Sequence, residues 1–152
     1  YAIGDAAEKS DELTGESTLI PLANIANRHG RITADHIAGK AVREVASIGT
    51  AIVKVFDLTV ATSGWNEKRL KAANKNFVAI HNHPSSHAGY YPGAEQMALK
   101  LLVHRKTHEI LGAQAVGKDG VDKRIDVIAN GSSVFANSGI IRMHKIDILL
   151  IE

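Results

Sequence analysis

The sequence predicts an α+β fold in which an antiparallel sheet is flanked by helices. Three observations support this prediction. Residues 51–116 contain several short apolar stretches, rich in valine and isoleucine, that are separated by turn residues. Helical spacing of apolar residues appears on either side of that region. Thr107 lies between two of the apolar stretches, where it predicts a hairpin turn.

The composition restricts the classes of protein to which the chain can belong. A chain of 152 residues with 45% hydrophobic and 22% charged residues suits one globular domain, or one domain and a remnant of another. The net charge is only +2 and the basic residues are scattered, so we expect no nucleic-acid partner. Cysteine is absent, which excludes disulfides, thiolate metal sites and a catalytic cysteine within these residues.

The sequence also contains no apolar run near the roughly 20 residues that a membrane-spanning helix needs. No basic segment followed by an apolar one opens the chain, as it would in a secretory signal. We therefore expect no membrane partner, and a cytoplasmic location fits the composition. The first residue is Tyr1 rather than methionine, which suggests a processed or cloned piece.

The N-terminal region predicts short elements followed by one helix. Residues 1–3 read as a strand that ends at Gly4-Asp5, residues 9–16 as an exposed loop, and residues 18–20 as a brief strand. Pro21 then opens a helical pattern that runs to about residue 38, because proline suits the first helical turn. Gly39 is placed to end this helix, and residues 43–50 read as a linker.

The remainder of the chain predicts the sheet and two further helices. Asn66 is expected to cap a short helix over residues 66–73. Asp122 begins another helix, whose inner face we expect to carry Ile125, Val127 and Ile128. The strands of the sheet are predicted over residues 51–56, 58–61, 77–81, 96–105 and 108–116.

Three histidines close together, His81, His83 and His87, raise the alternative of a metal site. The string HNHP at residues 81–84 resembles the start of the JAMM metalloprotease motif. That motif continues with a serine and an aspartate, and here the corresponding positions hold Pro92 and Glu95. We therefore predict no metal ligands and interpret the three histidines as surface or hydrogen-bonded residues. A JAMM-like zinc hydrolase is the alternative.

Several other strings carry a more extensive resemblance. They are YAIGDAAE (1–8), PLAN (21–24), IVKVFD (52–57), HPSSHAGYYPGA (83–94) and GAQAVGKDGVDKRID (112–126). Together they resemble the C-terminal part of flavin-dependent pyridine nucleotide-disulfide oxidoreductases, in the coenzyme A-disulfide reductase and NADH oxidase branch. The resemblance implies a remnant of an FAD-binding domain over 1–42, a dimerisation domain over 43–129 and a divergent tail over 130–152.

The same resemblance implies which residues serve the site. Asp5 would bind the ribityl chain of FAD, and the backbone of Leu22 and Ala23 would contact the flavin, where a helix N-terminus favours the reduced anion. Asn27 matches a position near the thiol substrate. Tyr90 would be the catalytic phenol that reaches the partner's active site across a homodimer.

The parent enzyme implied by the resemblance passes hydride from NAD(P)H to FAD and then to a disulfide or a related acceptor. These residues contain no cysteine and no glycine-rich dinucleotide fingerprint. We therefore expect this chain to be inactive alone and to retain no FAD. A non-catalytic, self-associating interaction protein derived from such an enzyme is the alternative. The tail lacks the family's second tyrosine string, and residues 140–151 predict an apolar strand that pairs with a sheet edge or a second chain.

Overall fold

A computed structural model describes residues 1–43 and 46–136 of the chain. It divides into two compact units, residues 1–49 and the part from Thr50 onward, and each unit is treated by itself. The strand predicted over residues 140–151 lies outside the described residues. No helix within the described ranges is long and apolar enough to cross a membrane.

The first unit combines a turn, a small ribbon and a helix. A 3₁₀ turn at Gly4–Ala6 is followed by two short antiparallel strands, β1 (Lys9–Ser10) and β2 (Ser17–Thr18), and by helix α1 (Ala23–Ile37). The strand predicted over residues 1–3 is wrong, because these residues lie outside any strand and lead directly into the 3₁₀ turn. A strand needs a hydrogen-bonded neighbour, which local apolar character cannot supply.

Helix α1 confirms the predicted helix, but it begins at Ala23 rather than at Pro21. Leu22 is extended, with φ of −133°, and serves as the N-cap residue, so Pro21 lies before the helix rather than in its first turn. Gly39 ends the helix as predicted. Its φ of +79° is the left-handed conformation that glycine adopts without strain, and its N–H donates to the His36 carbonyl at 3.0 Å.

The segment predicted as an exposed loop contains two buried polar residues. Lys9 is 3% exposed and Asp11 is 4% exposed. Backbone hydrogen bonds tie this segment to residue 47: the Glu12 N–H donates to the Ser47 carbonyl at 3.2 Å, and the Ser47 N–H donates to the Ser10 carbonyl at 3.1 Å. The prediction of an exposed loop over residues 9–16 is therefore wrong at Lys9 and Asp11.

The second unit is a five-stranded sheet with two helices, which confirms the α+β prediction. All neighbouring strands are antiparallel, and their spatial order is β3-β4-β7-β6-β5. The elements are β3 (Ala51–Val55), β4 (Leu58–Gly64), α2 (Glu67–Ala72), β5 (Phe77–Asn82), β6 (Met97–His104), β7 (Ile110–Gly117) and α3 (Val121–Ala136).

The core lies between one face of the sheet and α3. Alternate residues of a strand point to the same face of the sheet. In β6, this face carries four buried residues, Met97, Leu99, Leu101 and Val103. From α3, Val121 and Ile125 pack onto this cluster, with Ile128 partly buried beside them. The prediction for Val127 is wrong: it is 47% exposed, because it lies about 200° around the helix from Ile125.

Helix α2 is associated with the opposite face of the sheet. The side chain of Asn66 caps it as predicted, since its Oδ1 accepts from the Arg69 N–H at 2.9 Å. Glu67 pairs with Lys100 of β6 and with Lys71 one turn along α2. The hydrogen bond from Lys100, reinforced by the one from Lys71, lowers the pKa of Glu67 to about 2. The ion pair between Glu67 and Lys100 therefore connects α2 to strand β6.

Candidate functional site

The 3₁₀ turn that carries Asp5 is packed on helix α1. Gly4 is buried with φ of +66°, and a Cβ atom added there would lie 3.2 Å from the Cβ of Ala26. The Gly4 N–H donates to Nδ1 of His29, one turn further along α1, at 3.4 Å. Asp5 itself is exposed. The turn thus holds the Asp5 backbone against the first half of α1 while its carboxylate faces outward.

A buried lysine stabilises both ends of that turn. Nζ of Lys9 donates to the Gly4 carbonyl at 2.5 Å and to the Ala7 carbonyl at 2.7 Å. Burial of an ammonium group is costly unless it is hydrogen-bonded, and these two carbonyls meet that requirement. Our sequence reasoning missed Lys9 and His29. Nothing in the sequence pattern distinguished either residue, because His29 becomes a candidate only once Ala26 is known to contact Gly4.

The N-terminus of α1 is suited to a negatively charged group. Its N-cap residue, Leu22, has no side-chain oxygen with which to cap the helix. The Leu22 carbonyl accepts from the N–H groups of Ile25 and Ala26, both at 3.0 Å. The N–H groups of Ala23 and Asn24 belong to the first turn, where a helix offers no internal acceptor. The helix dipole adds partial positive charge at the same end.

The structure places all four residues predicted for the flavin and substrate in the first unit. Asp5 is on the 3₁₀ turn, Leu22 and Ala23 form the start of α1, and Asn27 is exposed one turn later. The contact of Gly4 with Ala26 brings the turn and the first two helical turns together. Tyr90 lies in the second unit.

The loop that carries Tyr90 connects β5 to β6 and is fixed at its base. The Ser86 N–H donates to the Glu95 carbonyl at 2.8 Å, and the Glu95 N–H donates to Oγ of Ser86 at 3.2 Å. The Met97 N–H donates to the Pro84 carbonyl at 3.0 Å. Nη2 of Arg124, from α3, donates to the Ser85 carbonyl at 3.2 Å. These bonds anchor the loop to the sheet and to α3.

The tip of this loop presents two tyrosines whose rings contact each other at an inclined angle. Tyr90 is 83% exposed and Tyr91 is 61% exposed, with ring centroids 4.8 Å apart and ring planes inclined by 39°. Tyr90 lies in a turn and Tyr91 in a bend rather than in a strand. The Tyr90 phenol is therefore largely exposed, while the base of its loop is held by hydrogen bonds.

The histidine stretch shows no metal-site geometry. His81 and His83 are exposed, and Nδ1 of His87 is 3.2 Å from the Ala88 carbonyl oxygen. In the part of the chain that the structure describes, no group of three or more His, Cys, Asp or Glu side chains is arranged to hold a metal ion. The zinc-hydrolase alternative therefore gains no support from this geometry.

Comparison with known proteins identifies the relatives of this architecture. Residues 50–131, more than half of the chain, match the family model of the pyridine nucleotide-disulphide oxidoreductase dimerisation domain. A coenzyme A disulfide reductase of Staphylococcus aureus strain bovine RF122 / ET3-1 is 39% identical over 130 residues, which cover 85% of this chain and 29% of that protein.

Two solved structures are similar in fold and in sequence. Reduced Bacillus anthracis CoADR-RHD superposes with a TM-score of 0.84 at 50% identity, over 88% of this chain and 24% of that one. A NAD-dependent persulfide reductase from A. fulgidus gives a TM-score of 0.85 at 36% identity, over 88% and 25%. The chain thus spans from 24% to 29% of the length of these three relatives. It belongs to the pyridine nucleotide-disulfide oxidoreductase family, as the C-terminal dimerisation part of its coenzyme A-disulfide reductase and NADH oxidase branch.

Proposed function

We propose that this chain serves as the C-terminal part of an FAD-dependent NAD(P)H:disulfide oxidoreductase of the coenzyme A-disulfide reductase or NADH oxidase type. Residues 1–42 would complete the FAD-binding domain, residues 43–129 would form the dimerisation domain, and residues 130–152 would be a divergent tail. The observation that carries the proposal is the Asp5 turn held on α1 next to a helix N-terminus without a side-chain cap.

The residues of the first unit fit a flavin. FAD, when bound, would accept a hydride from NAD(P)H and deliver electrons toward a disulfide. The exposed Asp5 carboxylate can accept hydrogen bonds from the ribityl hydroxyls, and Lys9 keeps its turn in place. The backbone of Leu22 and Ala23, at the N-terminus of α1, can contact the negatively charged edge of a reduced flavin, to which the Ala23 N–H can donate. Asn27, on the same helix, can offer its amide to the thiol substrate.

Tyr90 is the residue we assign to the partner's active site. Its phenol can donate a hydrogen bond to a thiolate or to a departing sulfur. Such a role requires an exposed hydroxyl on a fixed support, and the loop has both properties, since the Ser86–Glu95 and Arg124–Ser85 bonds hold its base. The role also requires a homodimer, which the dimerisation domain of the family implies.

The chain by itself is expected to be inactive and to retain no FAD. It has no cysteine, so no thiol within these residues can pass electrons from a flavin to a disulfide. The same lack of a thiol favours the second candidate, a non-catalytic protein that self-associates through the dimerisation domain. A cytoplasmic location stays a prediction.

Substitution of Asp5 in an enzyme that carries this sequence as its C-terminal part tests the proposal. Asp5→Asn should weaken FAD binding about 10- to 100-fold, since a charge-assisted hydrogen bond contributes roughly 1.5–3 kcal/mol. Glu16→Gln is the matched control, because Glu16 is also exposed and lies in the same unit. FAD dissociation constants from flavin fluorescence give the comparison. Equal constants for both variants would contradict the assignment of Asp5.

A further inference from the structure

Tyr91, the neighbour of Tyr90 in the loop between β5 and β6, has no part in the proposed function. Its side chain is 61% exposed, and its ring lies against that of Tyr90, with centroids 4.8 Å apart and planes inclined by 39°. A side chain that keeps most of its surface in water gains little stabilisation from burial. The contact between the two rings is therefore the feature of Tyr91 that calls for an explanation.

The backbone of Tyr91 is restrained on both sides. Its N–H donates to the Ala88 carbonyl at 3.1 Å, which closes a four-residue turn with Gly89 and Tyr90 at its centre. Pro92 follows Tyr91, and the ring of a proline disfavours the helical conformation of the residue before it. These two restraints hold the backbone from which the Tyr91 ring extends, and neither of them involves the side chain of Tyr90.

Tyr90 needs a support of this kind, because an exposed side chain otherwise moves among three staggered χ1 rotamers within nanoseconds. A phenol that must meet a sulfur on another subunit is useful in one of those rotamers. Orientation before the reaction removes an entropic cost from the reaction itself. Aromatic rings attract each other in offset or inclined arrangements at centroid distances of about 4.5–7 Å. The 4.8 Å contact with Tyr91 meets this condition and favours one Tyr90 rotamer over the others.

We propose that Tyr91 is a positioning residue, whose ring holds the Tyr90 phenol in the rotamer that it uses in catalysis. Tyr91 acts through Tyr90 and needs no contact with the substrate. The positioning depends on the aromatic face of Tyr91 and not on its hydroxyl, so phenylalanine at this position would serve equally well. The inference rests on the proposed role of Tyr90 and adds the residue that prepares Tyr90 for that role.

The χ1 populations of Tyr90 in the 152-residue chain give a test that requires no activity. Three-bond NMR couplings between the Hα and Hβ protons of Tyr90 measure these populations. One rotamer should dominate in the original chain and in Tyr91→Phe, the matched control that keeps the ring and removes only the hydroxyl. In Tyr91→Ala the dominant population should fall up to about threefold, toward an equal share among three rotamers. Amide exchange at Ser86 and Glu95 shows whether the base of the loop stays closed.

Kinetics of an enzyme that carries this sequence as its C-terminal part give the second test, with NADH and coenzyme A disulfide as the probes. Tyr91→Ala should lower kcat by the same factor as the Tyr90 rotamer population, up to about threefold. Tyr91→Phe should retain the original kcat. Tyr90→Phe measures the role of Tyr90 itself, and adding Tyr91→Ala to it should cause no further loss of kcat, because no phenol is left to position.

A Tyr90 rotamer that becomes mixed in Tyr91→Ala but not in Tyr91→Phe supports the inference. A rotamer that is unchanged in Tyr91→Ala, or already mixed in the original chain, overturns it. Faster exchange at Ser86 and Glu95 in Tyr91→Ala also overturns it, because Tyr91 would then serve the structure of the loop. If Tyr90→Phe leaves kcat unchanged, the proposed role of Tyr90 fails and the inference fails with it. A loss of kcat in Tyr90→Phe without one in Tyr91→Ala overturns the positioning role alone.

Discussion

Gly4→Ala should detach the turn that carries Asp5 from helix α1. Two costs arise at this position. A left-handed φ of +66° penalises any Cβ by roughly 1–2 kcal/mol. The added methyl would also lie 3.2 Å from the Cβ of Ala26, and such overpacking typically costs about 1–3 kcal/mol. The combined destabilisation of the first unit is therefore roughly 2–5 kcal/mol by these ranges.

Two further glycines of the same unit serve as controls. Gly15 has φ of +71°, and a Cβ added there would meet no atom within 4 Å, so Gly15→Ala carries the backbone strain alone. Gly30 lies within α1 with open space around it, so Gly30→Ala should stabilise the unit by about 0.8–1 kcal/mol through helix propensity. The three substitutions make the same chemical change in three environments.

Hydrogen exchange of the α1 amides measures these effects, and exchange of the β6 and β7 amides gives an internal reference in the other unit. Each 1.4 kcal/mol of destabilisation corresponds to about tenfold faster exchange through opening of the unit. We expect the order Gly4→Ala fastest, then Gly15→Ala, then the original chain, then Gly30→Ala. Equal exchange rates for Gly4→Ala and Gly15→Ala would refute the packing of the turn on α1, and with it the geometry of the flavin-facing site.

Two other predictions concern the second unit. The pKa of Glu67 is lowered to about 2 from 4.5 by Lys100 and Lys71, so its ionised form stabilises the fold above pH 4.5 and that contribution disappears as the pH falls toward 2. The free energy of unfolding should therefore decrease more steeply over this interval in the original chain than in Glu67→Gln, and parallel pH profiles would argue against the pair. Arg124→Met removes the hydrogen bond to the Ser85 carbonyl, so it should lower stability by about 1–2 kcal/mol and speed amide exchange in the Tyr90 loop; unchanged exchange there would show that Arg124 does not anchor the loop.

The sheet could be predicted from the sequence because its signals are local. Short apolar stretches separated by turn residues indicated all five strands of the second unit, and the side chain of Asn66 indicated the start of α2. The same local reasoning failed for residues 1–3. Apolar character there favours a strand, but pairing depends on a neighbour that the local sequence does not reveal.

The candidate site was predictable only in part, because its support comes from contacts between distant residues. Asp5, Leu22 and Tyr90 were proposed from the family resemblance of the motifs that contain them, and their roles stay predictions. Lys9 escaped notice because its partners are backbone carbonyls, which leave no signature in the sequence. The ring contact between Tyr90 and Tyr91 was missed for a related reason, since it depends on a loop closed by hydrogen bonds across residues 84–97.

The most direct test is a crystal structure, with FAD bound, of an enzyme that carries this sequence as its C-terminal part. The account predicts a carboxylate oxygen of Asp5 within hydrogen-bonding distance of a ribityl hydroxyl, the backbone of Leu22 and Ala23 facing the flavin, and the Tyr90 hydroxyl in the active site of the partner subunit. A flavin that lies away from the start of α1, or a Tyr90 phenol that faces solvent in the assembled dimer, would contradict it.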